Sequence, residues 1–92
     1  MTYQIQVSKE SEKDLTKAIC HYKIKGVEEN FLDNFITQIN YLKWNPFLFQ
    51  IRYKNIRKIH FSNFKYSIHY IVENQIVFIL RILSHREEYD EF

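Results

Sequence analysis

The sequence predicts an α+β domain in which an antiparallel sheet packs against a two-helix hairpin, with the element order β-α-α-β-β-β. Three observations lead to this fold class. Between residues 8 and 43, apolar residues recur at the three- and four-residue spacing of two amphipathic helices. From Phe64 to Val72, apolar and mostly polar residues alternate, as is typical of a half-buried strand. The 92 residues are enough for one domain, and we assign residues 1–92 to it.

The first strand is predicted at Tyr3–Val7, where apolar and polar residues alternate. Ser8 then offers an N-cap, and the acidic residues that follow suit the positive end of a helix dipole. We therefore expect the first helix to run from Ser8 to about Lys23. Gly26 follows it, at the position where a left-handed C-cap is needed.

The second helix is predicted from about Val27 to Lys43, with its apolar residues on one stripe. Asn45-Pro46 ends it, because the residue before a proline disfavours the helical region. The loop between the helices is very short, so they should pair as an antiparallel hairpin.

Three strands are expected in the second half of the chain, at 51–61, 64–72 and 76–83, joined by turns at 62–63 and 73–75. In the first of them Ile56 breaks the alternation, and a β-bulge near Lys54-Asn55 would explain the break. The uninterrupted apolar run at 76–80 suits a strand covered on both faces. The strand at residues 3–7 should join the sheet beside the last strand or at its edge.

Composition excludes several classes of protein. The single Cys20 rules out an internal disulfide and a multi-cysteine metal site, so we expect no bound metal and a cytoplasmic protein. No apolar run approaches the roughly 20 residues of a membrane span. The acidic tail at 84–92 is expected to form a short helix or a disordered end.

Charge is distributed unevenly along the chain. Residues 34–72 contain no Asp or Glu and carry +6, although the whole chain carries only +2. This basic segment suggests a surface for an acidic partner or nucleic acid, with a solvated sheet face as the alternative. The predicted binding residues are four cations of this segment and one later histidine: Arg52, Lys54, Arg57, Lys65 and His85.

The order of elements and several sequence pieces resemble the RelE/ParE superfamily, the toxins of bacterial type II toxin–antitoxin modules. The pieces are AICHY at 18–22, Asn45-Pro46, FQIRYKNIRK at 49–58, FKYSIHY at 64–70 and ILSHR at 82–86. The resemblance covers essentially the whole chain. The stretch at 45–58 is similar to the ParE-like, plasmid-stabilisation branch more than to RelE.

This resemblance implies a toxin that works without a cofactor and is neutralised by a cognate antitoxin. RelE-like members cut mRNA in the ribosomal A site, whereas ParE-like members poison DNA gyrase. If the chain is RelE-like, the matching catalytic positions are Lys58, His60 and Arg86. The third-strand arginine of RelE-like nucleases is replaced here by Ser67, and this departure favours the ParE-like branch.

The chemistry of the residues is compatible with either activity. Metal-free RNA cleavage needs a base, an acid and cations, which histidine, lysine and arginine side chains supply. His69 shares its strand face with Ser67, so we expect it on the polar face. Arg81 interrupts an apolar strand and needs a carboxylate partner, from this chain or from the antitoxin.

Three aromatic residues, Trp44, Phe47 and Phe49, follow the second helix closely. They could form an exposed patch for a partner or plug the end of the sheet beneath the helices. Three functions therefore stay open. The chain inhibits gyrase, or it is a ribosome-dependent mRNA endonuclease, or it is an inactive toxin that still binds its antitoxin.

Overall fold

The computed structural model of the chain describes residues 2–49 and 51–87, without the side chain of Tyr53. From residue 88 onward, the acidic tail lies outside the described residues, and so does its predicted structure. The described part contains five strands, two long helices, one short 3-10 turn and a last helical segment at 85–87, where the sequence allows a short helix. In chain order, the elements before this last segment are β1 (Gln4–Val7), α1 (Lys9–Ile24), α2 (Glu28–Trp44), the 3-10 turn (Pro46–Leu48), β2 (Ile51–Tyr53), β3 (Ile56–His60), β4 (Tyr66–Glu73) and β5 (Ile76–Ser84).

The five strands form one sheet in the order β1-β5-β4-β3-β2. The meander from β2 to β5 is antiparallel, whereas β1 pairs in parallel with β5, from Gln4 opposite Ile76 to Val7 opposite Ile79. The predicted α+β class is therefore confirmed, with a parallel edge strand added to the antiparallel sheet. Both expected places for the first strand are correct, since β1 lies beside the last strand and at the edge.

The predicted bulge near Lys54-Asn55 is wrong, because the chain reverses direction there. Lys54-Asn55 is a two-residue turn between β2 and β3, and Lys54 adopts a φ of 53°. Since the strand ends at Tyr53 and a new one begins at Ile56, the broken alternation marks a hairpin. An irregularity of register does occur within β2, between Ile51 and Tyr53.

An extra residue in β5 explains why its apolar run does not alternate. His69 pairs with Arg81 and Tyr70 with Ile79, so Leu80 is left without an opposite residue. Because of this bulge, Ile79 and Ile82 lie on the same face of the sheet. They are paired there with the buried residues Tyr70 and Ile68 of β4, respectively.

The residues predicted to cap or end the helices do so in the structure. The Ser8 hydroxyl accepts a hydrogen bond from the Ser11 N–H (3.0 Å) and donates one to the Leu80 carbonyl (2.9 Å), which ties the start of α1 to β5. Gly26 adopts a φ of +73° in the short loop between the helices. After α2, the Asn45 side chain accepts from the Phe47 N–H (3.3 Å) and begins the 3-10 turn.

The core lies between the helix hairpin and one face of the sheet, and its centre is a cluster of aromatic rings around Phe31. Phe31 is fully buried and stacks on Tyr22 and Phe61, each at 4.9 Å between ring centroids. Phe64 and Tyr66 meet it edge-on at 5.2 and 5.3 Å. Most of the abundant aromatic residues of α1, α2 and β4 are thus used for packing.

Tyr70 joins this core to the segment after α2. Its buried hydroxyl donates a hydrogen bond to the Pro46 carbonyl (2.6 Å). Burial raises the pKa of this hydroxyl to about 12, although the nearby Arg57 acts in the opposite direction. The phenol therefore stays protonated in the folded protein over a pH range in which an unfolded tyrosine ionises.

We expect the Tyr70→Phe variant to lose about 1–2 kcal/mol of the free energy of unfolding at neutral pH, because the Pro46 carbonyl loses its partner. At about pH 11 this difference should nearly vanish. Between the unfolded and the folded pKa of Tyr70, the unfolded wild type binds fewer protons than the folded one, so wild-type stability falls as pH rises. The loss from Tyr70 amounts to about 1.4 kcal/mol at about pH 11.

Urea unfolding of both proteins at about pH 7 and about pH 11 measures this change. Tyr41→Phe is a suitable control, because it removes the hydroxyl of an exposed tyrosine on α2. A Tyr70→Phe deficit that is equally large at both pH values would contradict the prediction.

Candidate functional site

Two predicted site residues, His60 and His85, lie side by side at one end of the sheet. The His60 Nδ1 and His85 Nε2 atoms are 3.2 Å apart, and the rings meet edge-on with centroids at 5.1 Å. His60 ends β3, and His85 follows β5 with its N–H donating to the Lys65 carbonyl (2.9 Å). The two imidazoles can share one proton, so the pair can act as a base and as an acid.

Ser67 completes this cluster from β4, directly opposite His60 in the strand register. Its hydroxyl oxygen lies 2.8 Å from the same His60 Nδ1 atom, and the residue is fully buried. A buried hydroxyl cannot reach a substrate, so Ser67 orients the His60 ring and does not serve as a nucleophile. The position at which the RelE-like nucleases have an arginine is therefore occupied by a small residue that supports His60.

The polar face of β4 is more deeply buried than the sequence suggests. His69 is only 5% exposed, and it lies between Lys58 of β3 and Arg81 of β5 in the strand register. His69 therefore lies beside charged residues of both neighbouring strands, as a polar face requires, but this face is buried because β4 is the central strand of the sheet. Lys58 itself is half-buried beside His69.

Arg81 has the intrachain carboxylate partner that its position in an apolar strand requires. Its Nε and Nη2 atoms donate to Asp14 of α1, at 2.8 and 3.1 Å. The same carboxylate accepts a hydrogen bond from the Ile82 N–H (3.0 Å). It thereby satisfies a backbone donor of β5 that lies beyond the residues paired with β1. The first of the two predicted partners, a carboxylate of this chain, is thus confirmed, and the Arg81–Asp14 ion pair joins α1 to β5.

The predicted binding residues of the basic segment do not form one surface. The Arg57 guanidinium donates to the Phe49 carbonyl and lies 5.1 Å from the centre of the Phe47 ring, so it stabilises the segment after α2. Lys54 lies in the exposed hairpin turn. Arg52 faces a groove of about 420 Å³ between α2 and β3, here called the α2 groove. Its lining residues are Gln38, Tyr41, Leu48, Phe49, Arg52, Lys58, Ile59 and His60.

An exposed apolar patch adjoins the α2 groove. Trp44 is 70% exposed and Phe47 is 52% exposed, with Leu48 and Ile51 also exposed nearby in the chain. Phe49, by contrast, is half-buried and packs against the core. Trp44 and Phe47 are therefore exposed, as the first of the two predictions requires, whereas Phe49 is not.

Arg86 and Lys65 lie on the other side of the sheet end, in a second groove of about 360 Å³ between α1 and the ends of β4 and β5. We call it the α1 groove. Its lining residues are Lys17, His21, Tyr22, Lys65, Tyr66, Ser84, Arg86 and Glu87. The predicted catalytic set is thus divided, because Lys58 and His60 line the α2 groove whereas Arg86 lines the α1 groove.

Sequence reasoning missed that His85 is the partner of His60, and no local signal shows it because the pair depends on the strand register. It also missed Lys17 and His21 as neighbours of Arg86. Their four-residue spacing on α1 places them on one helix face and could have suggested them.

No helix in the described part of the chain is long and apolar enough to cross a membrane. Within residues 2–49 and 51–87, no group of three or more histidine, cysteine or acidic residues could hold a metal ion.

Solved structures share this fold. A chain of the chromosomal ParDE toxin–antitoxin system from P. aeruginosa superposes with a TM-score of 0.77 at 16% identity, covering 90% of this chain and 96% of that one. A copper-bound mutant toxin from Helicobacter pylori gives a TM-score of 0.60 at 21% identity, covering 92% and 97%. The chain therefore shares its fold with these two chains. No curated protein sequence matches the chain.

The family is shown by the sequence itself. The family model described as the ParE toxin of the type II toxin–antitoxin system, parDE, matches residues 5–89, which include both long helices and all of the described strands except the first residue of β1. The chain belongs to this ParE toxin family, and the resemblance noted from its sequence is confirmed.

Proposed function

We propose that this chain is the toxin of a bacterial module that inhibits DNA gyrase and is neutralised by a cognate antitoxin. The observation that carries the proposal is the match of the ParE toxin family over residues 5–89. The replacement of the RelE-type arginine by the buried Ser67 supports it, because a catalytic cation is missing from that position. On this proposal the protein works in the cytoplasm, without a cofactor.

A second candidate function, cleavage of mRNA on the ribosome, is favoured by the His60–His85 pair. In this mechanism a neutral imidazole takes the proton of the 2′-hydroxyl, whose oxygen attacks the phosphorus atom. The protonated imidazole of the other histidine gives its proton to the departing 5′-oxygen. The two nitrogen atoms are 3.2 Å apart, so the pair would have to separate to admit a phosphate between them.

The gyrase proposal predicts that the purified chain stops supercoiling of relaxed plasmid by gyrase and leaves broken DNA bound to the enzyme. The reason is that a toxin without chemistry of its own must act by trapping its target. Relaxation of the same plasmid by a type I topoisomerase is the control, and it should proceed normally. Normal supercoiling in the presence of excess toxin would contradict the proposal.

The same preparation added to a translation reaction separates the two functions. Intact mRNA is expected, as read by primer extension. Codon-positioned cuts that fall at least about 100-fold in His85→Ala and disappear in Arg86→Gln would instead establish the endonuclease. The exposed Cys20→Ser change is a suitable control variant for those cuts. Normal supercoiling together with intact mRNA would indicate an inactive toxin.

A further inference from the structure

Neither candidate function accounts for all of the positively charged side chains that line the α1 groove. Lys17 comes from α1, Lys65 from the residue before β4, and Arg86 from the helical residues after β5. All three are exposed, so they meet a ligand at the surface without a large cost of desolvation. Elements that are far apart in the sequence thus bring three cations to one concave surface.

Among the described residues that line the groove, Glu87 is the one carboxylate, and it is engaged. Its two carboxylate oxygens accept from the Ser84 N–H (3.0 Å) and the Lys17 Nζ (3.3 Å). Burial raises the pKa of Glu87, but the hydrogen bonds from Ser84 and Lys17 outweigh it and hold the pKa below its usual value. Glu87 therefore holds the helical residues that carry Arg86 against α1, and the groove keeps an excess of positive charge.

The two tyrosines of the groove add hydrogen-bond donors. Burial, with a smaller effect of nearby negative groups, raises the pKa of Tyr66 to about 12, and burial also raises the pKa of Tyr22. Both hydroxyls therefore keep their protons at neutral pH. The Tyr22 ring is packed in the core, at 4.9 Å from Phe31 and 4.8 Å from Phe64, which leaves little of it available for stacking on a base.

We propose that the α1 groove binds the phosphodiester backbone of nucleic acid without reading its base sequence. Cations on a concave surface and neutral hydroxyl donors are the groups that contact phosphate oxygens. Packed rings do not supply the stacking platforms of proteins that bind unpaired bases. The binding site is independent of the target, since both DNA held by gyrase and RNA on the ribosome present this backbone.

Direct binding, measured without gyrase or ribosome, tests the proposal. Fluorescence anisotropy of labelled duplex DNA and of single-stranded RNA, of the same length and mixed sequence, is followed over a series of KCl concentrations. Because Glu87 pairs with Lys17, phosphate contacts from Lys65 and Arg86 predict a slope of about −2 for the logarithm of the binding constant against the logarithm of salt on duplex DNA. In the double variant Lys65→Gln with Arg86→Gln, the slope should shrink by about 2.

The matched control is Lys9→Gln with Lys13→Gln, which removes the same charge from exposed positions of α1 outside the α1 groove. Its salt slope should equal that of the wild type. Since all four positions are exposed, each variant should fold, which circular dichroism verifies. Binding of only the DNA or only the RNA, with the expected drop in slope, supports the proposal and identifies the source of the backbone.

Three results would overturn it. They are the absence of binding to either probe at low salt, an equal loss of slope in the control variant, and binding that follows base sequence. None of these results depends on the supercoiling assay. The gyrase proposal and the nucleic-acid proposal can therefore fail independently of each other.

Discussion

Phe31→Ala is expected to reduce the free energy of unfolding by about 4 kcal/mol. Phe31 is fully buried on α2 and contacts four other aromatic rings, so its removal loses buried area and leaves a cavity that stacked rings cannot easily fill. For a domain of this size that loss is a large part of the total stability, which is about 5–15 kcal/mol. Urea unfolding followed by circular dichroism measures it.

Two further variants keep this prediction testable if Phe31→Ala does not fold. Phe31→Leu keeps part of the volume and should cost roughly 1–2 kcal/mol. Phe35→Ala removes a ring from the same helix that is only half-buried and 6.3 Å from Phe61, so it should cost clearly less than Phe31→Ala. Equal losses at Phe31 and Phe35 would show that the ring cluster is not the centre of the core.

Asp14→Ala is expected to cost about 3 kcal/mol, because one carboxylate on α1 satisfies three donors of β5. The side chain of Asp14 is 11% exposed and that of Arg81 is 26% exposed, so the pair is shielded from water. Removing the acid leaves the Arg81 charge and the Ile82 N–H without this partner. Urea unfolding again gives the measurement, with the exposed Asp33→Ala on α2 as a control that should change stability by less than about 0.5 kcal/mol.

A double-mutant cycle with Arg81→Met separates the pair from its surroundings. Removing both partners should cost less than the sum of the two single changes, since neither charge is then left without the other. Additive losses would mean that Asp14 acts through the Ile82 N–H and not through Arg81.

Signals that lie within a few residues of each other were enough to predict most element boundaries. Ser8, Gly26 and Asn45-Pro46 act through local backbone chemistry, and each marks the end of a helix as expected. The hairpin at Lys54-Asn55 was missed because lysine rarely adopts a positive φ and gives no turn signal. The second hairpin was recognised from Asn74, where both turn residues have the positive φ values that a type I′ turn requires.

The parts of the site that depend on strand register could not be predicted in this way. His60 and His85 are 25 residues apart and meet only because β3 and β5 both flank β4. The alternation placed His69 on the polar face of β4, but alternation carries no information on what the neighbouring strands place beside it, and the residue is buried. The sequence shows which residues of the predicted site are charged, but their division between two grooves follows from the packing of α1 and α2 on the sheet.

The parallel pairing of β1 with β5 has a consequence for synthesis of the protein in the cell. Gln4 and Ile76 are neighbours in the sheet, so β1, although it is synthesised first, cannot pair until β5 has been synthesised. Contacts of such long sequence separation form late, because the entropy of closing the intervening loop must be overcome first. We therefore expect the nascent chain to remain without its complete sheet until β5 has left the ribosome. Arg86 follows β5 closely and lines the α1 groove, so this groove stays incomplete until the residues after β5 have been made.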